Sequence, residues 1–295
     1  MAIFRGLSAF PITPADHNGR VETDALGNLL TRLIDASVQS IGLLGSTGTY
    51  AYLSRAERER AIKSAAECTG GDVPLIVGVG ALRTDEAVAL AKDAARFGAD
   101  ALLLAPVSYT PLTEEEVYQH YRAVAGATEL PLCIYNNPGT THFGFSVALL
   151  ERLAWATNIT AVKMPLPADG DVSADLRRLG DALPDGFLIG YSGDWGSAAA
   201  MLSGADAWFS VVGGILPEPA MNLTRVAMAG DADATKRIDA RFQPLWDLFK
   251  QFGSLRVVYA VANALSLTPA QPPRPILPLD VKDQDRVVTA LEGLL

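Results

Sequence analysis

Short apolar runs recur along the chain, each followed by a segment whose apolar positions fall three and four residues apart. The runs are LSAFPI, SIGLLG, PLIVGVG, ADALLLAP, LPLCIYN, ITAVKM, FLIGYSG and ADAWFSVV. Between them DALGNLLTRLIDA, DEAVALAKDAARFG and EEEVYQHYRAVAG carry the period of an amphipathic helix. Ser54 with Glu57, and Thr113 with Glu116, have the spacing of capping boxes that start such helices. Strands that are apolar along their whole length need cover on both faces, which helices flanking a parallel sheet provide. Eight strand–helix units favour a closed sheet, so the expected fold class is α/β, a (β/α)8 TIM barrel. An open doubly wound sheet fits less well, because GLLGSTG is not G-x-G-x-x-G and GVGALR lacks the third glycine.

The rhythm stops after WFSVVGGILPEP. ATKRIDARFQPLWDLFKQF and LRVVYAVANALSL read as helices, with the proline-rich TPAQPPRPILPL connecting elements behind them. The expected division is a barrel over residues 1–216 and a C-terminal helical extension over residues 217–295.

Composition narrows the function classes. With 49% hydrophobic and 19% charged residues, the 295-residue chain has enough apolar material for a large core. A net charge of −9 argues against a nucleic-acid partner, since no segment concentrates Lys and Arg. The start MAIFRGLSAFPITP has no long apolar leader, and no membrane-length apolar run follows, so the expected location is cytoplasmic, with no membrane partner. Cys68 and Cys133 are the only cysteines; this is not a disulfide scaffold, and Cys133 is expected to be buried and inert within its apolar run.

Candidate chemistry lies where the strands of such a barrel end, at its C-terminal face. Lys163 stands out. Alternation along NITAVKMPLP places Ile159, Ala161 and Lys163 on one face of the sixth strand, and Thr160, Val162 and Met164 on the other. A neutral lysine amine can attack a ketone and form a Schiff base. In water only about one lysine in 2,500 is neutral at pH 7, so an apolar setting that disfavours the charged form is part of the requirement. A lysine at a strand end can equally pair with a carboxylate or reach out to water. Tyr135 ends the neighbouring strand on the same face as Cys133, and its phenol is placed to move protons. In GSTG, Gly45 and Gly48 free backbone amides, and Ser46 and Thr47 add hydroxyls; the turn is able to hold a carboxylate or simply to join strand to helix. Gly193 in YSGD and Ser210 in FSVVGG complete the strand-end candidates.

Other polar groups carry less. His17, His120 and His142 lack metal-ligand spacing, His120 reads as a surface residue, and no metal or cofactor is expected. Asp194 and Trp195 in SGDWG suggest a helix cap, and SRAERER a solvated helix face.

Taken in order, GSTG, YNNPG, AVKM and SGD resemble the dihydrodipicolinate synthase and N-acetylneuraminate lyase superfamily, and PPRPILPL is similar to its late proline-rich segment. The resemblance implies a class I lyase acting on pyruvate or a related 2-oxo acid, assembled as a homotetramer of paired dimers and needing no metal. It implies Lys163 as the Schiff-base lysine and Tyr135 as the proton shuttle. It also implies that Ser46, Thr47 and Gly48 bind the substrate carboxylate, with Thr47 relaying protons to the tyrosine. The synthases place an arginine where this chain has Thr140, Glu where it has Thr49, usually Glu where it has Met164, and paired tyrosines where it has Val107 and Ser108, with Tyr109 following. The expected function is therefore a synthase-like aldolase or lyase whose second substrate, an aldehyde, is not anchored as aspartate semialdehyde is. A dehydratase using the same imine and a non-catalytic 2-oxo acid-binding homologue are the alternatives.

Overall fold

The computed structural model of the chain describes residues 3–295. Eight parallel strands close into a barrel in chain order: β1 (Gly6–Ala9), β2 (Ser40–Leu43), β3 (Leu75–Gly78), β4 (Ala101–Leu104), β5 (Leu132–Tyr135), β6 (Ile159–Pro165), β7 (Leu188–Ser192) and β8 (Ala207–Ser210). β1 pairs with both β2 and β8, so no strand edge is left open.

The helices in the barrel are α1 (Thr23–Asp35), α2 (Arg55–Thr69), α3 (Thr84–Arg96), α4 (Glu114–Ala125), the single turn α5 (Pro138–Thr141), α6 (Val147–Ala154), α7 (Val172–Ala182) and α8 (Asp194–Leu202). After β8 come α9 (Pro217–Met228), α10 (Ala232–Phe252), α11 (Ser254–Ala264) and α12 (Val281–Leu291). α9 packs against β1 and α8 and so covers the seam where the barrel closes. α10 lies on α8, α9 and α11.

Periodicity explains which faces are buried. In α1, Leu26, Leu29, Leu30 and Leu33 form one buried stripe, and in α3 the stripe is Ala87, Leu90, Ala91 and Ala94. Each such leucine contributes about 2 kcal/mol on burial. The Thr113 capping box is complete, with the Thr113 side chain accepting from the Glu116 amide and Glu116 reaching back to the Thr113 amide. The second expected box is half made. Ser54 caps the Glu57 amide at 3.3 Å, but the Glu57 carboxylate accepts instead from the Val21 amide at 2.8 Å, tying the β1–α1 loop to α2.

Two layers share the core. Outward-facing strand residues such as Ile41, Leu43, Val77, Leu102, Ile134, Val162 and Trp208 pack against the helices. Inward-facing residues fill the lumen: Phe4, Phe10, Ile76, Ala101, Leu103, Ala105, Cys133, Tyr135, Ala161, Ala207 and Phe209. Ile159 corrects the simple alternation. Leu132 pairs with Ile159 but Cys133 with Ala161, so β6 has an extra residue opposite β5. Ile159 therefore packs in the outer layer, while Ala161 and Lys163 face the lumen.

Two other expectations about polar residues are overturned by packing. Arg58 in the charged run is 9% exposed, and its guanidinium donates to the carbonyls of Leu53 and Gly80 while lying 5.1 Å from the Tyr50 ring. His120 is 8% exposed rather than a surface residue, with Nδ1 2.9 Å from the Thr84 hydroxyl across the α3–α4 contact. In both cases the residue sits on the inward side of a helix whose local composition is polar.

Candidate active site

The site begins with neighbouring strands. Tyr135 and Lys163 are register partners across β5 and β6, and both point into the lumen. Lys163 is 4% exposed, and its Nζ lies 3.9 Å from the centre of the Phe10 ring, 4.2 Å from that of Tyr135 and 5.6 Å from that of Phe209. Among the described residues no carboxylate lies within ion-pair distance of this amine. Ring faces, not a counter-ion, are its neighbours.

Phe10 reaches the amine because β2 and its turn make room. A Cβ on Gly42 would lie 2.3 Å from the Phe10 ring, and one on Gly45 would lie 2.6 Å from it. Glycine at both positions lets the ring lie across the lumen floor, edge-on to Phe209 with centroids 6.1 Å apart. The same GSTG turn carries Ser46, whose hydroxyl donates to the Tyr135 oxygen at 3.4 Å, and the buried Thr47. The hydroxyl seen to touch the phenol is thus the first of the pair, whereas the resemblance implied Thr47. Asn137 supplies a second donor, from Nδ2 to the Tyr135 oxygen at 2.9 Å. The phenol oxygen therefore accepts two hydrogen bonds beside the lysine.

Tyr50 and Cys133 line the surroundings. Burial pushes the Tyr50 phenol up to about 12, with Tyr135 adding to the shift and the Arg58 guanidinium opposing it. Burial also pushes the Cys133 thiol far above its ordinary value, which keeps it inert as the sequence suggests.

The remaining sequence candidates separate. Gly193 precedes α8 with φ of 99°, a backbone conformation natural to glycine, and a Cβ there would lie 3.0 Å from Leu166. Thr140 is exposed on α5, with its hydroxyl directed to the Asn137 carbonyl at 3.4 Å. Tyr109 is 95% exposed on the β4–α4 loop and does not enter this chain's own lumen. Ser210 is fully buried, and its oxygen accepts from the Gly213 amide at 2.8 Å, so it shapes the β8 loop rather than facing the amine. Asp194 is the first residue of α8 and not its cap. Its carboxylate accepts from the Trp208 indole at 2.8 Å and the Val211 and Val212 amides at 3.2 and 2.9 Å. Burial pushes this carboxyl up from its usual value, and those donors pull it back.

Sequence reasoning passed over Phe10, Phe209 and Asn137. Alternation back from Phe10 to Ser8 and from Phe209 to Ala207 carries the signal for the rings, and the second asparagine of YNNPG carries that for the donor. No group of three His, Cys, Asp or Glu able to hold a metal ion occurs among the described residues.

Comparison with known proteins agrees with this geometry. A family model described as "Dihydrodipicolinate synthetase family" matches residues 3–294. The chain belongs to the dihydrodipicolinate synthetase family. The 4-hydroxy-tetrahydrodipicolinate synthase of Alcanivorax borkumensis is 32% identical over 97% of this chain and 96% of its own length. A crystal structure of dihydrodipicolinate synthase from Agrobacterium tumefaciens superposes with a TM-score of 0.99 at 63% identity, covering 99% of each chain. The chloride-inhibited dihydrodipicolinate synthase of Acinetobacter baumannii, solved in complex with pyruvate, gives 0.88 at 30% identity over 99% of each chain. The expected family, barrel and class of enzyme, a Schiff-base lyase, are borne out. No helix among the described residues is long and apolar enough to cross a membrane.

Proposed function

We propose that this chain is a class I aldolase that joins pyruvate, or a related 2-oxo acid, to an aldehyde, or runs that step in reverse, with Lys163 as the nucleophile. The observation that carries the reading is a buried amine without a counter-ion among the described residues, 4.2 Å from the ring centre of a tyrosine whose oxygen accepts from Ser46 and Asn137. The amine adds to the ketone carbon, and loss of water from the carbinolamine gives the protonated imine. That imine draws electrons from the adjacent methyl, which loses a proton and becomes an enamine. The enamine carbon forms a bond to the aldehyde carbon, the carbonyl electron pair moves to oxygen, and that oxygen takes a proton. Water then hydrolyses the new imine, releases the product and restores the amine. Tyr135 serves the proton transfers, and the GSTG turn, through Ser46, Thr47 and Gly48, holds the carboxylate.

The homotetramer of paired dimers is part of the same proposal. Tyr109, exposed next to the barrel mouth, is the side chain a partner subunit would receive or cover. Cytoplasmic location follows from the same reading.

Exchange of the pyruvate methyl protons with deuterium in heavy water, followed by NMR without any aldehyde, tests the imine–enamine sequence. The wild type is expected to exchange them and Lys163→Met to leave them at the background rate; equal exchange by the two proteins would overturn the assignment.

A further inference from the structure

Beyond the amine, the barrel mouth has a chemical character that bears on the second substrate. Continuing the alternation from the lumen residues, the positions above Lys163 are Val107, Asn137, Pro165 and Ser192, with Pro165 and Ser192 register partners. Leu166 and Trp195 then close on Gly193. A Cβ at Gly193 would lie 3.0 Å from Leu166 and 3.7 Å from the Trp195 ring, and Trp195 is 40% exposed. An exposed indole and a half-buried leucine, which also packs on Gly196 of α8, thus lie together just past the ends of β6, the strand that carries the lysine, and β7 beside it.

Charge is distributed to match. The loops after β4 to β8, APVSYTPLT, NNPGTTHFGFS, LPADGD, GD and VVGGIL, contain neither lysine nor arginine. Their ionisable side chains are exposed His142, exposed Asp169 and Asp171, exposed Tyr109, and Asp194, which is committed to the β8 loop. Asp171 caps α7 through the Ala174 amide at 2.9 Å. Arg83 on the β3 loop is paired with Asp85 at 2.7 Å, and Lys250 on α10 lies 6.0 Å from the centre of the Trp195 ring. A carboxylate on the incoming aldehyde would meet apolar groups and aspartates, with no guanidinium from these loops to hold it.

We propose that the second substrate is an uncharged aldehyde with an apolar body of aromatic size, seated against Leu166 and Trp195, with Asn137 and Ser192 as the polar groups near its carbonyl. This rests on the aldolase reading above. The hydroxyl of Ser192 is turned to the Met164 carbonyl at 3.2 Å and Asn137 to Tyr135, so both polar groups are oriented by neighbours and neither offers a cation.

Matched aldehydes test it. The full-length enzyme with pyruvate is assayed on benzaldehyde against 4-carboxybenzaldehyde, and butanal against succinate semialdehyde, in wild type, Leu166→Arg and Lys250→Ala. Methyl-proton exchange is measured on each protein as a control. The neutral member of each pair is expected to have the higher kcat/KM in the wild type, by at least about tenfold, with Leu166→Arg narrowing or reversing the ratio within each pair. A wild-type preference for the carboxylated members, or equal rates within each pair, overturns the proposal; loss of that preference in Lys250→Ala would name the cation responsible. Exchange without turnover of any of the four aldehydes also overturns it, leaving the imine chemistry intact. Absence of exchange in the wild type overturns the aldolase reading and this proposal together.

Discussion

Lys163 and Asp194 are both buried ionisable side chains at the C-terminal end of the same barrel, and their surroundings are opposite. Asp194 is wrapped by one indole and two backbone amides. Lys163 has three ring faces and no carboxylate among the described residues. A buried charge whose hydrogen bonds are all met within the chain holds structure together. One left without such partners costs stability and persists where it serves chemistry. The difference separates a residue that fixes the β8 loop from one that is offered to a substrate.

The comparison breaks most visibly if the two residues are exchanged in their effects. Lys163→Met is expected to lower kcat by at least about 10⁴-fold while leaving thermal stability unchanged or raised, because a methionine fits the ring-lined lumen without a polar head group to desolvate. Steady-state kinetics and a melting curve on the same preparation check both halves. Tyr135→Phe keeps the ring against the amine and removes only the hydroxyl; a fall in kcat of about 10²- to 10⁴-fold is expected, read with KM to separate binding from proton transfer. Asp194→Ala should do the reverse of Lys163→Met. It orphans the Trp208 indole and two amides and is expected to cost about 3 kcal/mol in urea unfolding, with kcat per folded molecule changing far less.

The smallest effect concerns His120. Burial pulls its imidazole below the ordinary value of 6.5, so the unfolded chain binds the proton more readily than the folded one. The stability it contributes is complete above about pH 6.5 and is lost as the pH falls through the folded-state value. His120→Gln is expected to flatten that part of the stability curve, and an unchanged acid slope would remove His120 from the account.

Much of the barrel was legible because each strand is apolar on both faces and each helix repeats its apolar stripe, as in α1 and α3. Lys163 and Tyr135 were legible for the same reason: a polar group in an apolar run breaks the pattern. What the pattern concealed was local. Ile159 changed layers because a bulge on β6 inserts one residue, which periodicity cannot anticipate. Arg58 and His120 looked solvated because helix composition does not report which of its polar side chains faces a neighbouring element. Phe10 and Phe209 were hidden as ordinary core residues until the lumen brought their faces to the amine. Asn137 needed the fold of the β5 loop to become a partner of Tyr135.

The central claim is that the Lys163 amine captures a keto acid. Incubating the protein with pyruvate and borohydride and mapping the digested peptides by mass spectrometry reads that event directly. The account predicts one reduced pyruvate adduct, on the peptide carrying Lys163 and absent from Lys163→Met. An adduct confined to another lysine, or an unmodified Lys163 in a protein that turns pyruvate over, would contradict it.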